Sequence, residues 1–172
     1  MTAPVPEPAR AGATSRGTTG TPLDAIDRFL LEAMQRDAQP SQAALGNAVG
    51  LSAAAVNRRI RRLTDDGYIR RTVAVLDPAR LGYPLTVIAQ IEAITEEIGP
   101  LDDLQTSLIS SPHVQQCYYV TGEWDFVCVL LVRDMAEYRN LTRTLFFAHG
   151  NVKRFKTLVV MDHPKISLDV PT

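Results

Sequence analysis

Residues 41–67 read SQAALGNAVGLSAAAVNRRIRRLTDDG, and their pattern predicts the fold of the N-terminal part of the chain. Ser41 and Ser52 each suit the start of a helix, because a serine hydroxyl accepts from the free amides of the first turn. Gly50 supplies the left-handed residue that ends the first helix, and Gly67 closes the second. Apolar residues recur at helical spacing along the second helix: Val56, Ile60 and Leu63. We therefore predict two short helices joined by a tight turn.

The second predicted helix carries four arginines within five positions. With its apolar residues turned inward, a rotation of about 100° per residue points Arg58, Arg61 and Arg62 to solvent and puts Arg59 beside the core. In a helix-turn-helix protein the start of the second helix meets base edges, and flanking basic residues meet phosphates. We predict that Asn57 and Arg58 read bases and that Arg61 and Arg62 bind phosphates. The predicted DNA contacts are Ser52, Ala53, Ala54, Asn57, Arg58, Arg61, Arg62 and Arg70.

A solvated basic surface is the alternative interpretation of these arginines. Arg59 in particular fits a structural role, in which its aliphatic stem covers the core and its guanidinium pairs with an acid. A ligand-sensing adaptor that does not bind DNA is a further alternative, although Asn57 and the outward arginines of this helix argue against it. Charge reversal at Arg61 distinguishes these hypotheses, because only a DNA-binding protein should lose retention of promoter DNA.

Charge is distributed unevenly along the 172 residues, whose overall net charge is −1. Residues 1–82 hold 11 Lys and Arg against 8 Asp and Glu, whereas residues 83–172 hold 7 against 11. The chain has no apolar run near the roughly 20 residues that cross a membrane, and no apolar signal-peptide core. This pattern predicts a soluble, cytoplasmic protein in which a basic DNA-binding head precedes a domain that binds something else.

The rest of the chain supplies three further segments of the predicted α+β fold. Residues 1–20 are rich in Pro, Ala, Gly and Thr and are predicted to be a disordered tail. Thr21-Pro22 predicts the start of a first helix over 22–36, so that a helix-turn-helix domain spans 21–67. Alternation of apolar and polar residues predicts a strand over 69–75, within a strand and hinge linker that spans 68–84.

The second half reads as strand, helix, strand, strand, helix, strand, over residues 85–94, 100–110, 114–120, 124–132, 134–148 and 152–161. This order predicts a ferredoxin-like domain over 85–165, an antiparallel sheet with both helices on one face. The uncovered face of the sheet predicts a symmetric homodimer.

The two cysteines are Cys117 and Cys128, too few and too far apart in sequence for a zinc site. A hairpin that turns at residues 121–123 would place them opposite each other. Simple filling of space is one interpretation, since buried cysteines usually have that role, and a redox switch is the other.

Together these segments resemble the Lrp/AsnC family of transcription regulators, the leucine-responsive or feast/famine type. The resemblance covers about residues 22–165. It rests on LDAIDRFLLEAMQRDAQPSQAALGNAVGLSAAAVNRRIRRLTDDGYI in the head, on AVLDPARLGYPL in the connector, and on HVQQCYYVTGEWDFVCVLLVRD in the second domain. It implies a helix-turn-helix that binds double-stranded operator DNA. It also implies a RAM-type (AsnC-type) ferredoxin-like domain that dimerises through its sheet, commonly assembles to an octamer, and binds an amino acid or related effector.

The effector site implied by this resemblance is a hairpin loop with the pattern Gly-x-x-Asp. In this chain the predicted effector-binding residues are Thr121, Gly122, Glu123, Trp124 and Asp125. Gly122 lets a ligand approach the backbone, and Asp125, or alternatively Glu123, suits an α-ammonium group. An ordinary hairpin turn is the alternative.

Two stretches depart from the family pattern. Alanines at 53–55 stand where many relatives are more polar, which favours shape readout of DNA. Arg154 to Thr157 stand where small hydroxyl residues are common, which leaves the effector open.

The sequence holds no catalytic constellation, and we predict that the protein is not an enzyme and needs no cofactor or metal. Its histidines are scattered: His113, His149 and His163. The siroheme decarboxylases share this architecture and are the enzyme alternative, but the histidine-bearing segment expected of them is absent from YYVTGEWDF.

Overall fold

The structure is a computed structural model that describes residues 21–37 and 39–172. The chain divides into two compact units. One ends at Val75 and also includes Lys165–Thr172, and the other spans Leu76–Pro164. The tail predicted over residues 1–20 lies outside the described residues. Among the helices that the structure does describe, none has both the length and the apolar character needed to span a membrane.

Three helices form the N-terminal unit: α1 (Ala25–Arg36), α2 (Gln42–Val49) and α3 (Ala53–Asp65). The two serine caps are confirmed, since the Oγ atoms of Ser41 and Ser52 accept from the amides three residues ahead. Gly50 is left-handed, as predicted. The helices bury one small core, made of Leu30, Leu45, Val56 and Leu63.

The prediction for the start of α1 is wrong by about one turn. Thr21-Pro22 lies outside the helix, and Asp24 is the N-cap. The Asp24 carboxylate accepts from the Asp27 amide at 2.7 Å, and the Asp27 carboxylate accepts from the Asp24 amide at 3.2 Å. This reciprocal pair satisfies two free amides at once and fixes the start of the helix at Asp24.

The turn between α2 and α3 depends on a glycine with no side chain. Gly46 is buried, and its carbonyl accepts from the Leu51 amide at 2.9 Å. A Cβ atom at position 46 would lie 2.3 Å from the Leu51 carbonyl oxygen. Because that distance is impossible for a real contact, only glycine lets the chain fold back this closely.

The strand predicted over 69–75 does not form among the described residues. Val73 and Val75 are exposed and join no hydrogen-bonded ladder. Alternation indicates that a segment could be a strand, but a strand also needs a neighbour whose amides and carbonyls match its own.

The second unit is the predicted ferredoxin-like sandwich. Its elements are β1 (Leu85–Ala93), α4 (Ile98–Ser110), β2 (Val114–Tyr119), β3 (Phe126–Val132), α5 (Met135–Thr142) and β4 (Val152–Val159). The antiparallel sheet has the order β2-β3-β1-β4. A π-helical turn, Arg143–Phe147, extends α5. Core residues fill the space between the helices and one sheet face, including Val87, Ile91, Leu104, Leu108, Phe126 and Phe146.

The other face of the sheet is open and partly apolar. Along β3, buried residues alternate with half-buried ones. On β1, Ile88 lies between Val129 of β3 and Leu158 of β4. These three side chains form an apolar strip across the open face.

Candidate functional site

The outward face of α3 presents small residues first and arginines later. Ser52, Ala53 and Ala54 are exposed at its start, so a partner can come close to the backbone. Asn57 is half-buried. Arg58, Arg61 and Arg70 are exposed. Within the described residues, Arg58 and Arg61 of α3 form no ion pair, unlike Arg59 and Arg62. We call Arg58 and Arg61 the free arginines.

Arg59 and Arg62 instead hold a buried carboxylate of α1. Arg59 Nη1 lies 2.8 Å from Asp27 Oδ1, and Arg62 Nη2 lies 2.5 Å from Asp27 Oδ2. Arg59 Nη1 also reaches Asp24 Oδ2 at 2.7 Å. The structural role considered for Arg59 is confirmed. The prediction that Arg62 points freely to solvent is wrong, because a buried carboxylate needs a cationic partner.

Asp27 stays ionised inside the core of the N-terminal unit. Burial alone raises the pKa of Asp27, but hydrogen bonds from Arg59 and Arg62, and from the Asp24 amide, outweigh burial and hold that pKa below its ordinary value. The sequence carried one signal for this pair. Asp27 lies three residues before Leu30, on the apolar stripe of α1, where an acid must find a partner.

The second candidate site is the loop between β2 and β3. Thr121, Gly122 and Glu123 are exposed, whereas Trp124 and Asp125 are half-buried. Gly122 has a φ of 126°, a conformation that side chains disfavour. The loop brings all five predicted effector residues to one tip of the sheet.

Asp125 fastens this loop to the end of β1. Its Oδ2 accepts from the Ala93 amide at 2.7 Å, and its own amide donates to the Ile91 carbonyl at 2.9 Å. One carboxylate oxygen of Asp125 is therefore already in use.

Arg154 of β4 joins the loop to the sheet, a contact that sequence reasoning did not foresee. Its Nη2 lies 2.9 Å from Glu123 Oε1, its Nε pairs with Glu92, and its guanidinium carbon lies 4.7 Å from the centre of the Trp124 ring. Lys153 Nζ reaches Glu92 Oε1 at 2.6 Å. Hydrogen bonds from Lys153 and then Arg154 hold the pKa of Glu92 below its usual range. The β1–β4 register places Glu92 opposite Arg154, and the sequence alone does not give that register.

An open cleft of about 490 Å³ lies beside this loop. It is lined by Glu92, Ala93, Ile94, Thr95, Glu96, Gly122, Glu123, Asp125 and Lys153. Four of these residues are acids, so the cleft suits a ligand that carries an ammonium group. A second open cleft, of about 550 Å³, lies along α5 and includes no residue of the loop.

Two sequence profiles match the chain in the same order as the two units. A winged helix-turn-helix DNA-binding profile matches residues 23–70. A profile described as the Lrp/AsnC ligand binding domain matches residues 86–170.

Relatives and solved structures agree with these matches. The leucine-responsive regulatory protein of Haemophilus influenzae is 34% identical over 83% of this chain and 86% of its own length. A crystal structure of an AsnC family transcriptional regulator from Agrobacterium tumefaciens is 29% identical, with a TM-score of 0.82 over 87% of this chain and 97% of that one. A transcriptional regulator from Neisseria meningitidis, solved as a complex with L-Met, has the same fold, with a TM-score of 0.83 at 23% identity, over 87% of this chain and 97% of that one.

Proposed function

The chain belongs to the Lrp/AsnC family of transcription regulators, and we propose that the free arginines of α3 are its principal contacts with DNA. It is a DNA-binding regulator of transcription. We further infer that it acts in the cytoplasm and catalyses no reaction, in keeping with relatives that are transcriptional regulators.

The observation that supports the DNA proposal is that only two of the four arginines of α3 are bound to an acid that the structure describes. Arg59 and Arg62 are occupied by Asp27, whereas Arg58 and Arg61 are exposed. We assign phosphate contact to Arg61, with Arg70 in support, and base contact to Arg58. Asn57 is the second base-reading candidate, and the exposed small residues before it, Ser52, Ala53 and Ala54, let the start of α3 enter a groove.

The test begins with selection of bound fragments from genomic DNA, because the operator must be known first. The affinity of Arg61→Ala for the selected site is then measured by fluorescence anisotropy over a range of salt concentrations. We expect a loss of about tenfold and a salt slope shallower by about one unit, because one phosphate contact is removed. Arg36→Ala is the matched control, an exposed arginine of α1. An unchanged affinity and slope for Arg61→Ala would overturn the proposal.

We propose that the cleft beside the β2–β3 loop binds an amino acid. Its acids suit an α-ammonium group, while the backbone at Gly122 and the nearby Lys153 suit a carboxylate. Glu123 is the better candidate for the ammonium group, since its side chain is exposed at the tip of the loop, whereas Asp125 is half-buried and bonds to the Ala93 amide. The match to a ligand-binding domain supports this proposal, as does the L-Met complex of the Neisseria regulator.

Isothermal titration with a panel of amino acids that includes leucine and methionine tests this site. We expect Glu123→Gln to weaken the binding of whichever amino acid binds by about tenfold. Asp102→Asn, an exposed acid of α4 that does not line the cleft, should change nothing. Equal affinities of Glu123→Gln and wild type would remove the loop from the binding site.

We also propose that the apolar strip of the open sheet face pairs with a second copy of the chain, and that such dimers assemble further, to an octamer. The half-buried Ile88 and Val129 and the exposed Leu158 support this. Sedimentation velocity measures the assembly, and a monomer at micromolar concentration would contradict it.

A further inference from the structure

The two cysteines of the chain lie directly opposite each other on β2 and β3. Cys117 is paired with Cys128 in the register of the sheet, and their Sγ atoms lie 3.6 Å apart. Both are free thiols. The hairpin predicted from the sequence therefore does bring the pair together, with its sulfurs in van der Waals contact.

The position of the pair in the ladder suits a disulfide. Beyond β2, the Val120 amide donates to the Asp125 carbonyl at 2.8 Å, which marks a hydrogen-bonded pair. Bonded and non-bonded pairs alternate along an antiparallel ladder, so Cys117 and Cys128, three steps away, form a non-bonded pair. Cα atoms in such pairs are about 4.5 Å apart, within the range of about 4.4–6.8 Å that disulfides span. β2 is also an edge strand, held on one side only, and can close the remaining gap.

The two thiols have unequal surroundings. Cys128 is fully buried among the core residues, while Cys117 is half-buried. A hydrogen bond from the Cys128 thiol lowers the pKa of Cys117, and the same bond together with burial raises the pKa of Cys128. Cys117 is thus the more accessible thiol for a small oxidant and also the better nucleophile.

We propose that Cys117 and Cys128 are a peroxide-responsive pair whose reversible disulfide staples the hairpin that carries the ligand loop. The Cys117 thiolate attacks one oxygen of hydrogen peroxide, which gives a sulfenic acid and releases hydroxide. The Cys128 sulfur then attacks the Cys117 sulfur and loses its proton, and the hydroxyl leaves as water. Two thiols are oxidised, one peroxide is reduced, and two waters form in all. A dithiol reductant reverses the step.

The disulfide would act on the loop because it encloses it. Thr121 to Asp125 lie between the two cysteines in the chain, so the bond closes a ring that has the loop at its tip. Oxidation therefore restricts the motion of the loop relative to β2 and β3. This effect on ligand binding rests on the proposed function, but formation of the disulfide does not.

Treatment of the full-length protein with hydrogen peroxide tests the chemistry. We expect titratable thiols to fall from two per chain to none, and the peptides of Cys117 and Cys128 to be joined, with a mass lower by two hydrogen atoms. Dithiothreitol should restore both thiols. Cys128→Ala should accumulate a sulfenic acid on Cys117 that dimedone traps, whereas Cys117→Ser should give no adduct at the buried Cys128.

Two results on wild-type protein would overturn the proposal: thiols that persist, or oxygen atoms added to Cys117 without a crosslink. A disulfide between chains would also overturn it. Amino-acid affinity of the reduced and oxidised proteins tests the effect on the loop, and we expect a change of at least threefold. Equal affinities with a disulfide in place would overturn only the effect of the disulfide on the loop. Binding by neither the reduced nor the oxidised protein would count against the proposed ligand site.

Discussion

Two clusters of arginines and acids, one in each unit, use the same chemistry for different ends. In the N-terminal unit, Arg59 and Arg62 close over Asp27, whose side chain is only 1% exposed. In the other unit, Arg154 bridges Glu92 and Glu123, and both Arg154 and Glu123 are more than half exposed. Water therefore competes for the second cluster but not for the first.

This difference in burial decides what each cluster does. A buried carboxylate with two guanidinium partners fixes how α1 and α3 pack, because loss of these ion pairs leaves a buried charge without a partner. An exposed network is screened by salt and contributes little to stability, so it is free to rearrange around a ligand. Burial, more than residue type, separates the arginines that build this protein from those that we assign to recognition.

Removal of the buried carboxylate should produce the largest effect. We expect Asp27→Asn to destabilise the N-terminal unit by about 3 kcal/mol, because Arg59 and Arg62 lose their charged partner. Urea unfolding followed by far-UV circular dichroism measures the loss. The fluorescence of Trp124, the single tryptophan, reports on the other unit and should keep its midpoint.

Asp65→Asn is the matched control, since Asp65 is an exposed acid of the same unit. If Asp27→Asn is no less stable than this control, the buried cluster does not hold the helices together.

Low pH should also weaken the buried cluster, with a smaller effect on stability than the substitution of Asp27. The pKa of Asp27 is held below its ordinary value of 3.8. Its contribution to stability is therefore complete above that value and is lost as the pH falls through the lowered pKa. Between pH 7 and pH 5, the difference in unfolding free energy between wild type and Asp27→Asn should stay constant, and below pH 3.8 it should shrink. A difference that shrinks already near pH 6 would contradict the assignment.

The sequence predicts the helices and strands that carry the two clusters, but it does not predict which residues pair within them. Serine caps, glycine stops and apolar spacing are local signals, and they predicted α2, α3 and the order of the sandwich correctly. The partners of Asp27 and Arg154 are not local. Asp27 meets Arg62 from a different helix, and Arg154 meets Glu92 through strand register, so both depend on packing that no short window contains. The linker strand was mispredicted for the same reason, since its pattern was local and its pairing is not.

Removal of the exposed Arg154 should give the smallest change in stability. We expect Arg154→Ala to leave the urea midpoint of Trp124 fluorescence unchanged at physiological salt, because the Arg154–Glu123 pair is exposed and screened and because Glu92 keeps Lys153 as a partner. The emission spectrum of Trp124 should nevertheless shift, since a cation 4.7 Å from the centre of its ring is gone. Lys156→Ala, on the same strand and face, should change neither quantity. A destabilisation as large as that of Asp27→Asn would mean that the exposed network also holds the fold, and that burial does not divide structure from recognition in this protein.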